Sequence, residues 1–434
     1  MLILKLIKST YQLSKFFKIN FLYDVLFLEF FKSNIKYSSF DKNKKSILVL
    51  NSFRFTQDLD IIQKSPEFNI LFLNSKWHHR FISIFFGKNL QEANHFYQAI
   101  ENKNFECIVN IEGSLDRLVH KYNIHSFLSC SFTYKQDFPI ATYCVKNKNV
   151  KFNLLYKEFL KDEIILNETI NRYKSSQCKF IGHTIFLANK TIEKILIEAG
   201  VILPHQSKII GSIRFDGIYS KKRSSQQETK VITLFSFMHA SGLLQLENKH
   251  HFTKNTEEGF YNLFHNVHKT MGYLSSKYPK IRIVIKCKYG GNWFEAIDDV
   301  FLREFKKSVK EFKNIDLDCL TSSHDLIEQS SAIVCFNSTT VLEAICFGKI
   351  PIIPVFDEAL TKYFNTNVFF KKYFNLLNIC NSADELLEMI QEEIANPSQK
   401  IELEDYRSFF KEYIFKYDGL ATRRFIKELC NEKN

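Results

Sequence analysis

The sequence predicts an α/β protein in two halves, on three observations. Short apolar runs suited to buried parallel strands alternate with longer helical stretches along most of the chain. The segment Ala332 to Val355, AIVCFNSTTVLEAICFGKIPIIPV, reads as a complete strand–turn–helix–strand unit. Residues 220 to 230, SKKRSSQQETK, contain no apolar side chain, and no core can be built from them. A length of 434 residues is long for one hydrophobic core and suits two domains of about 200 residues each. We therefore expect an N-terminal domain over 1–220, a linker over 221–230 and a C-terminal domain over 231–434.

In the first half, Ser46 to Leu50 (SILVL) is the first buried strand. Asn69 to Leu73 (NILFL) and Glu106 to Ile111 (ECIVNI) follow as strands, with room for helices between them. Phe180–Ile181 leads into a helix from Asn189 to Ala199, ended by Gly200, and Lys208 to Gly211 is a short strand. In the second half Lys230 to Phe235 and Ile281 to Lys286 are strands around a helix-rich stretch, 257–278. Phe301 to Phe312 reads as a helix, and His324 to Gln329 as a short one leading into the strand Ala332 to Phe336. The polar turn Asn337 to Thr340 then precedes a helix, Val341 to Phe347, and a strand, Ile350 to Val355. Further helices are expected at Ala383 to Ala395 and at the C-terminus.

Hydrophobic residues make up 45% of the chain, and 44 Phe against 13 Gly and 7 Pro argue against disorder. The formal net charge of +12 suits an anionic partner, and lysine scattered through a Lys-, Asn-, Ile- and Phe-rich composition accounts for it equally well. Ten cysteines are dispersed without a C-x-x-C pair, which fits buried reduced thiols rather than disulfides or zinc. No uncharged apolar stretch of about 18 residues is present, so no transmembrane helix is expected. The first 35 residues are hydrophobic and basic, interrupted by Asp24 and Glu29. We expect them to pack on the core, with a position on a membrane face as the alternative. The absence of G-x-G-x-x-G, P-loop, H-E-x-x-H and G-x-S-x-G motifs argues against dehydrogenase, NTPase, zincin and α/β-hydrolase chemistry. No RNA-binding motif is present, and no nucleic-acid partner is expected.

The turn Asn337–Thr340 lies at the carboxyl end of its strand, where open α/β sheets bind ligands. The hydroxyls of Ser338, Thr339 and Thr340 beside helix-start N–H groups suit a phosphate. Thr340-Val341-Leu342-Glu343 also fits a capping box, with Thr340 as N-cap, so Glu343 either caps the helix or accepts from a ribose. Four more loops follow expected strands. Ser236 to Gly242 (SFMHASG) offers His239 and Ser241 to a phosphate or sugar, or is a surface turn. Lys286 to Asn292 (KCKYGGN) offers Lys286 beside a Gly-Gly turn. In Gly211 to Asp216 (GSIRFD), Arg214 reaches an anionic substrate or pairs with Asp216. In Asn110 to Asp116 (NIEGSLD), Glu112 is a general base or a solvated loop acid. His78 and His79, in KWHHR, read as basic surface, and His183 opens another turn.

Three passages carry a resemblance: GHTIFLANKTIEKILIEAGV…KIIGSIRFDGIY (182–219), HDLIEQSSAIVCFNSTTVLEAICFGKIPIIP (324–354) and DGLATRRFIKEL (418–429). Together they resemble bacterial GT-B glycosyltransferase-like proteins of capsule and lipopolysaccharide (surface carbohydrate) biosynthesis. The resemblance implies two Rossmann-like α/β domains facing across a cleft. It implies sugar transfer from a nucleotide donor, held mainly by the C-terminal half, to a surface polysaccharide or lipid-linked glycan acceptor on the N-terminal half. Asn337, Ser338, Thr339, Thr340, Glu343, Lys286, His239, Ser241 and Arg214 would then bind donor, and Glu112 would act as base. Neither a cofactor nor a metal is implied, because helix starts and basic side chains neutralise the leaving phosphate. A cytoplasmic place, in contact with the inner face of the membrane, goes with it. Relatives carry Lys-Pro-His-Pro where this chain reads KCKYGG, keeping Lys286 alone. Two alternatives stay open: a UDP-sugar 2-epimerase-like enzyme, and a non-catalytic accessory subunit of polysaccharide assembly.

Overall fold

A computed structural model describes residues 9, 28–86, 101–147, 149–161, 165–220, 231–243, 259–396 and 401–431. Two compact units make up the chain: Met1–Phe159 with Asn167–Gly217 and Glu412–Asn434, and Leu160–Leu166 with Ile218–Lys411. The expected linker 221–230 and most of the first 35 residues lie outside the described residues.

The first unit holds a seven-stranded sheet: β1 (Ile35–Lys36), β2 (Ser46–Val49), β3 (Asn69–Leu73), β4 (Ile124–Ser129), β5 (Lys151–Leu155), β6 (Thr184–Leu187) and β7 (Ser207–Ile209). Their order is β1-β3-β2-β4-β5-β6-β7. All pairs are parallel except β1 with β3. The chain runs outward from β2 to β3, then returns to the other side of β2 for β4. That reversal creates a switch point between β2 and β4.

Three expectations for this unit are corrected. Glu106 to Ile111 is not a strand; it lies within a long helix, Glu101–Tyr122. Ile111, Leu115, Leu118 and Tyr122 are buried at spacings of four, three and four, a helical period that outlasts the short apolar run. Two strands, β4 and β5, have too many polar residues for the apolar pattern to register. Inside the sheet these residues find partners: Asn153 Nδ2 donates to Ser126 Oγ at 3.1 Å. Finally, the closing helix Ala421–Asn431 groups with the first unit, although it lies within the expected C-terminal domain, 231–434. Ala421, Phe425, Ile426 and Leu429 form its apolar stripe and join a core with Ile47, Val49, Phe186 and Ile213. The Phe425 and Phe186 rings meet edge to face, 4.8 Å between centroids.

The second unit has six parallel strands: β8 (Val231–Phe235), β9 (Arg282–Lys286), β10 (Ile315–Asp318), β11 (Ala332–Cys335), β12 (Ile352–Pro354) and β13 (Asn378–Cys380). The order β10-β9-β8-β11-β12-β13 places the switch point between β8 and β11. Every residue of β8 and β11 is buried, which accounts for their uninterrupted apolar sequences. The helix after β9 spans Asn292–Phe305, earlier than the expected Phe301 to Phe312. Lys306 ends it in the left-handed region (φ 56°), and a separate turn at Val309–Glu311 follows. Each unit is thus a Rossmann-like α/β layer around a largely parallel sheet. Among the described residues, no helix is long and apolar enough to cross a membrane.

Candidate functional site

The two loops leaving β8 and β11 meet at the switch point of the second unit. Asn337, the second residue beyond β11, takes a left-handed backbone conformation (φ 45°), which Asn tolerates better than most residues. Its Nδ2 donates to the carbonyls of Ser241 (3.1 Å) and Asn367 (2.8 Å), and its Oδ1 accepts from the Phe369 N–H (2.9 Å). A Cβ on Gly242 (φ +84°) would stand 2.6 Å from Asn337 Nδ2, so glycine is required there. Asn337 is therefore a pin joining three loops, and its side-chain polar atoms are engaged by backbone. His239, in the same loop as Ser241, is 1% exposed, with its carbonyl accepting from Phe260 N–H at 2.8 Å. Phe237 and Phe260 pack on Phe336 at 5.0 and 4.9 Å and form an apolar floor.

The helix after the turn spans Thr340–Cys346, with Thr339 at the cap position and no side-chain cap. The expected capping box, with Thr340 as N-cap, is not formed. Ser338 Oγ instead accepts from Thr340 N–H (3.2 Å) and donates to Thr340 Oγ1 (2.9 Å), a tight Ser turn. Ser338 and Thr339 stay half-buried, whereas Thr340 is buried. Glu343 is 2% exposed and faces inward: it accepts from Ser323 Oγ (3.3 Å) and, at 3.5 Å, from Thr339 Oγ1. His324 Nε2 stands 3.6 Å from the same carboxylate.

Lys286, at the end of β9, reaches across to Asp318 at the end of β10, 3.0 Å away. Burial by itself would raise the Asp318 carboxyl, but Thr321 and Lys286 outweigh it and hold the pKa at about 2. Behind this pair, Trp293 Nε1 donates to Ser236 Oγ (2.8 Å), which donates to His268 Nε2 (3.0 Å). His268 Nδ1 in turn donates to the Phe264 carbonyl (2.7 Å), and burial lowers its pKa to about 4, so the ring is neutral. The chain of bonds locks the β8 loop onto the helix Tyr261–Lys277.

Arg214 sits in the first unit and pairs with Asp58, not Asp216: Asp58 receives its N–H and its guanidinium, each at 3.1 Å. Asp216 caps the closing helix, accepting from the N–H groups of Ala421 (3.2 Å) and Thr422 (2.6 Å). Arg424 of that helix donates to the Ile210 carbonyl and forms a forked pair with Asp418. The GSIRFD and DGLATRRF passages therefore hold each other. Glu112 lies inside the helix Glu101–Tyr122, so the exposed loop that favoured it as a base does not exist. The His183 ring accepts from Phe152 N–H at 3.1 Å, and burial lowers its pKa to about 4.

A second constellation, at the switch point of the first unit, escaped the sequence reading. Asn51 follows β2 in a left-handed conformation (φ 55°) and donates Nδ2 to both oxygens of Asp137, at 3.0 and 2.7 Å. Ser129 Oγ donates to Asp137 as well (2.6 Å), and His78 Nε2 is 3.0 Å from it. Asn51, Asp137 and His78 are each 1–2% exposed. Hence His78 is not basic surface, while its neighbours Lys76, His79 and Arg80 are exposed. These three and Arg54 border a cavity of about 660 Å³ at the carboxyl ends of β2 and β3. The only hint in the sequence was the polar break after SILVL.

Among the described residues no group of three or more His, Cys, Asp or Glu is placed to hold a metal, and nine cysteines are free. No protein-family model matches the chain, and no curated protein is significantly similar to it. Solved structures do resemble it. UDP-GlcNAc 2-epimerase from Methanocaldococcus jannaschii superposes with a TM-score of 0.50 at 13% identity, over 89% of this chain and 99% of that one. A UDP-GlcNAc 2-epimerase from Neisseria meningitidis, bound to UDP-GlcNAc, gives 0.48 at 14% identity, over 90% and 100%. A glycosyltransferase from Rickettsia africae gives 0.44 at 11%, over 90% and 100%. The first of these likenesses carries the conclusion it can bear: the chain has the α/β fold of the GT-B group.

Proposed function

We propose that the chain is a nucleotide-sugar-dependent glycosyltransferase acting on a surface polysaccharide or lipid-linked glycan, at the inner face of the membrane. The observation that carries this reading is the meeting of the β8 and β11 loops through Asn337 and Ser241, at the switch point of a Rossmann-ordered sheet. The half-buried hydroxyls of Ser338 and Thr339, at the start of the next helix, would receive the donor phosphates. Asn337 fixes the turn rather than touching donor, and Glu343 orders it from behind through Thr339 and Ser323. Lys286 adds positive charge near the departing diphosphate while Asp318 fixes its direction. No base is assigned, since Glu112 lost the loop that recommended it.

A second reading is favoured by the Methanocaldococcus likeness, because that protein is a UDP-GlcNAc 2-epimerase. Such an enzyme would use the same donor turn and need no acceptor. Calorimetric titration of UDP and UDP-sugars into the wild type, Thr339→Ala and Thr339→Val tests the shared part. We expect at least about tenfold weaker binding in both variants, and unchanged affinity would overturn the donor assignment. Product analysis with a bound donor then separates the readings: transfer to glycan supports the first, a 2-epimer without acceptor the second. A donor that binds but is never turned over points to an accessory subunit.

A further inference from the structure

We propose that the cavity of the first unit is a binding site for a sugar phosphate, and that the acceptor carries its phosphate there. It is bordered by Lys36 at the end of β1, Arg54 after β2, and Lys76 and Arg80 on the helix Ser75–Phe86. All four are exposed, and no aspartate or glutamate is among the described lining residues. The chain as a whole is far more mixed, with 47 acidic residues against 59 basic ones. A concave site with one sign of charge focuses its potential and concentrates a dianion. The two guanidiniums add the forked geometry that suits phosphate oxygens.

The location adds an independent reason. Asn74 and Ser75 place the start of a twelve-residue helix on the cavity wall, where its dipole favours an anion. Residues following β2, β3 and β4 all contribute to the lining, so the cavity lies at the switch point of its sheet. Phe53, which is 59% exposed, lines it together with the half-buried Phe72 and Tyr134, beside polar residues that include Ser52, His79 and Gln136. An exposed Phe53 ring beside clustered cations suits the apolar face of a sugar ring whose phosphate lies on the arginines. Beneath, Asp137 is buried with Asn51, Ser129 and His78 bonded to it, and Gln136 Nε2 donates to Asn51 Oδ1 at 3.2 Å. That network ties Asn51, at the start of the loop that carries Arg54, to Asp137 beneath the cavity, and keeps the Asp137 carboxylate out of its lining.

Calling this ligand the acceptor rests on the proposed sugar transfer; the binding of a sugar phosphate does not. The test is titration of the full chain with hexose 1-phosphate, inorganic phosphate, and vesicles of phosphatidylglycerol, with UDP in parallel. The variants are Arg54→Gln/Arg80→Gln, Phe53→Ala and, as a remote control, Lys280→Gln. We expect hexose 1-phosphate to bind more tightly than phosphate alone. We expect the double variant to lose at least about tenfold, Phe53→Ala to weaken only the sugar phosphate, and the control and the UDP affinity to stay unchanged. Melting temperatures like the wild type confirm that the variants fold. Equal affinity for the sugar phosphate in wild type and double variant overturns the inference, as does binding to vesicles alone. Loss of UDP binding in the double variant overturns it too, because the cavity would then serve the donor. If the sugar phosphate binds as expected and UDP does not bind at all, the donor reading fails and the cavity stands.

Discussion

The carboxylate of Asp216 accepts both the N–H (2.6 Å) and the hydroxyl (2.7 Å) of Thr422, 206 residues later in the chain. It performs from a distance what an N-cap residue does locally, satisfying donors at the start of the closing helix. Asp216 and Thr422 thereby tie the end of the chain to the first unit, next to the Arg424–Ile210 bond that does the same from the other side.

Replacing Asp216 with Ala should cost about 1–2 kcal/mol, the usual loss for a helix cap. Thermal unfolding would show a lower Tm, and hydrogen exchange would speed up across Ala421–Asn431 before the rest of the first unit. Asp216→Asn should recover part of the loss, since an amide oxygen still accepts. Uniform exchange along the chain would show that the cap is not what holds this helix.

Lys349 is committed to three backbone carbonyls in the second unit. Its ammonium donates to the carbonyls of Ile327 (2.8 Å), Glu328 (2.7 Å) and Ser330 (2.6 Å), closing the end of the helix Ser323–Gln329. Lys349→Met fills similar space but leaves three acceptors without this donor, at a cost of about 3 kcal/mol. Lys349→Arg should not restore stability, because a planar fork cannot reach three carbonyls arranged around a point. Full rescue by arginine in chemical denaturation would refute this account.

The Asp318–Lys286 pair makes a pH prediction. The folded pKa of Asp318 is about 2, below its ordinary 3.8, so its contribution is present above pH 4 and is lost as pH falls towards 2. The stabilisation, shared between Thr321 and Lys286, is about 2 kcal/mol. Lys286→Met should flatten the stability curve of the second unit in part over that acid window, because the Thr321 bonds to Asp318 remain, and leave it parallel to wild type at neutral pH. The same acid sensitivity in variant and wild type would rule the pair out as its source.

Asn337→Asp changes one atom. Two carbonyls, of Ser241 and Asn367, then face a carboxylate where they had an amide donor. We expect a loss of about 2–4 kcal/mol and faster exchange at Phe369, whose N–H the side chain accepts. Asn337→Gly keeps the left-handed backbone without strain but loses all three bonds, so it should fall between the two. A glycine variant as stable as wild type would show that φ, not the hydrogen bonds, selects asparagine.

Much of the fold was legible along the chain because burial on both faces of a parallel sheet leaves continuous apolar runs. Those of β8 and β11 appear in the sequence almost residue for residue, and the amphipathic helix Ala383–Ala395 was read to its exact ends. The Glu106–Ile111 stretch misled because six apolar-rich residues fit a strand as well as a helix. Only the further repeats at Leu115, Leu118 and Tyr122 separate the two.

The candidate sites divide the same way. That the Asn337–Thr340 turn ends a strand was written in the sequence; that its first residue is spent on three backbone groups was not. Nor did any local signal join Asn51 to Asp137, 86 residues away, or Asp216 to the closing helix. Hydrophobic periodicity records which side of a segment meets the core. A polar pair records instead two segments brought together by the whole fold, and it leaves each residue looking like an ordinary surface group until the partner arrives. For this chain, the sequence by itself determined the α/β layers and most of their strands, and the tertiary structure alone decided which polar side chains are buried anchors and which stay exposed at the strand ends.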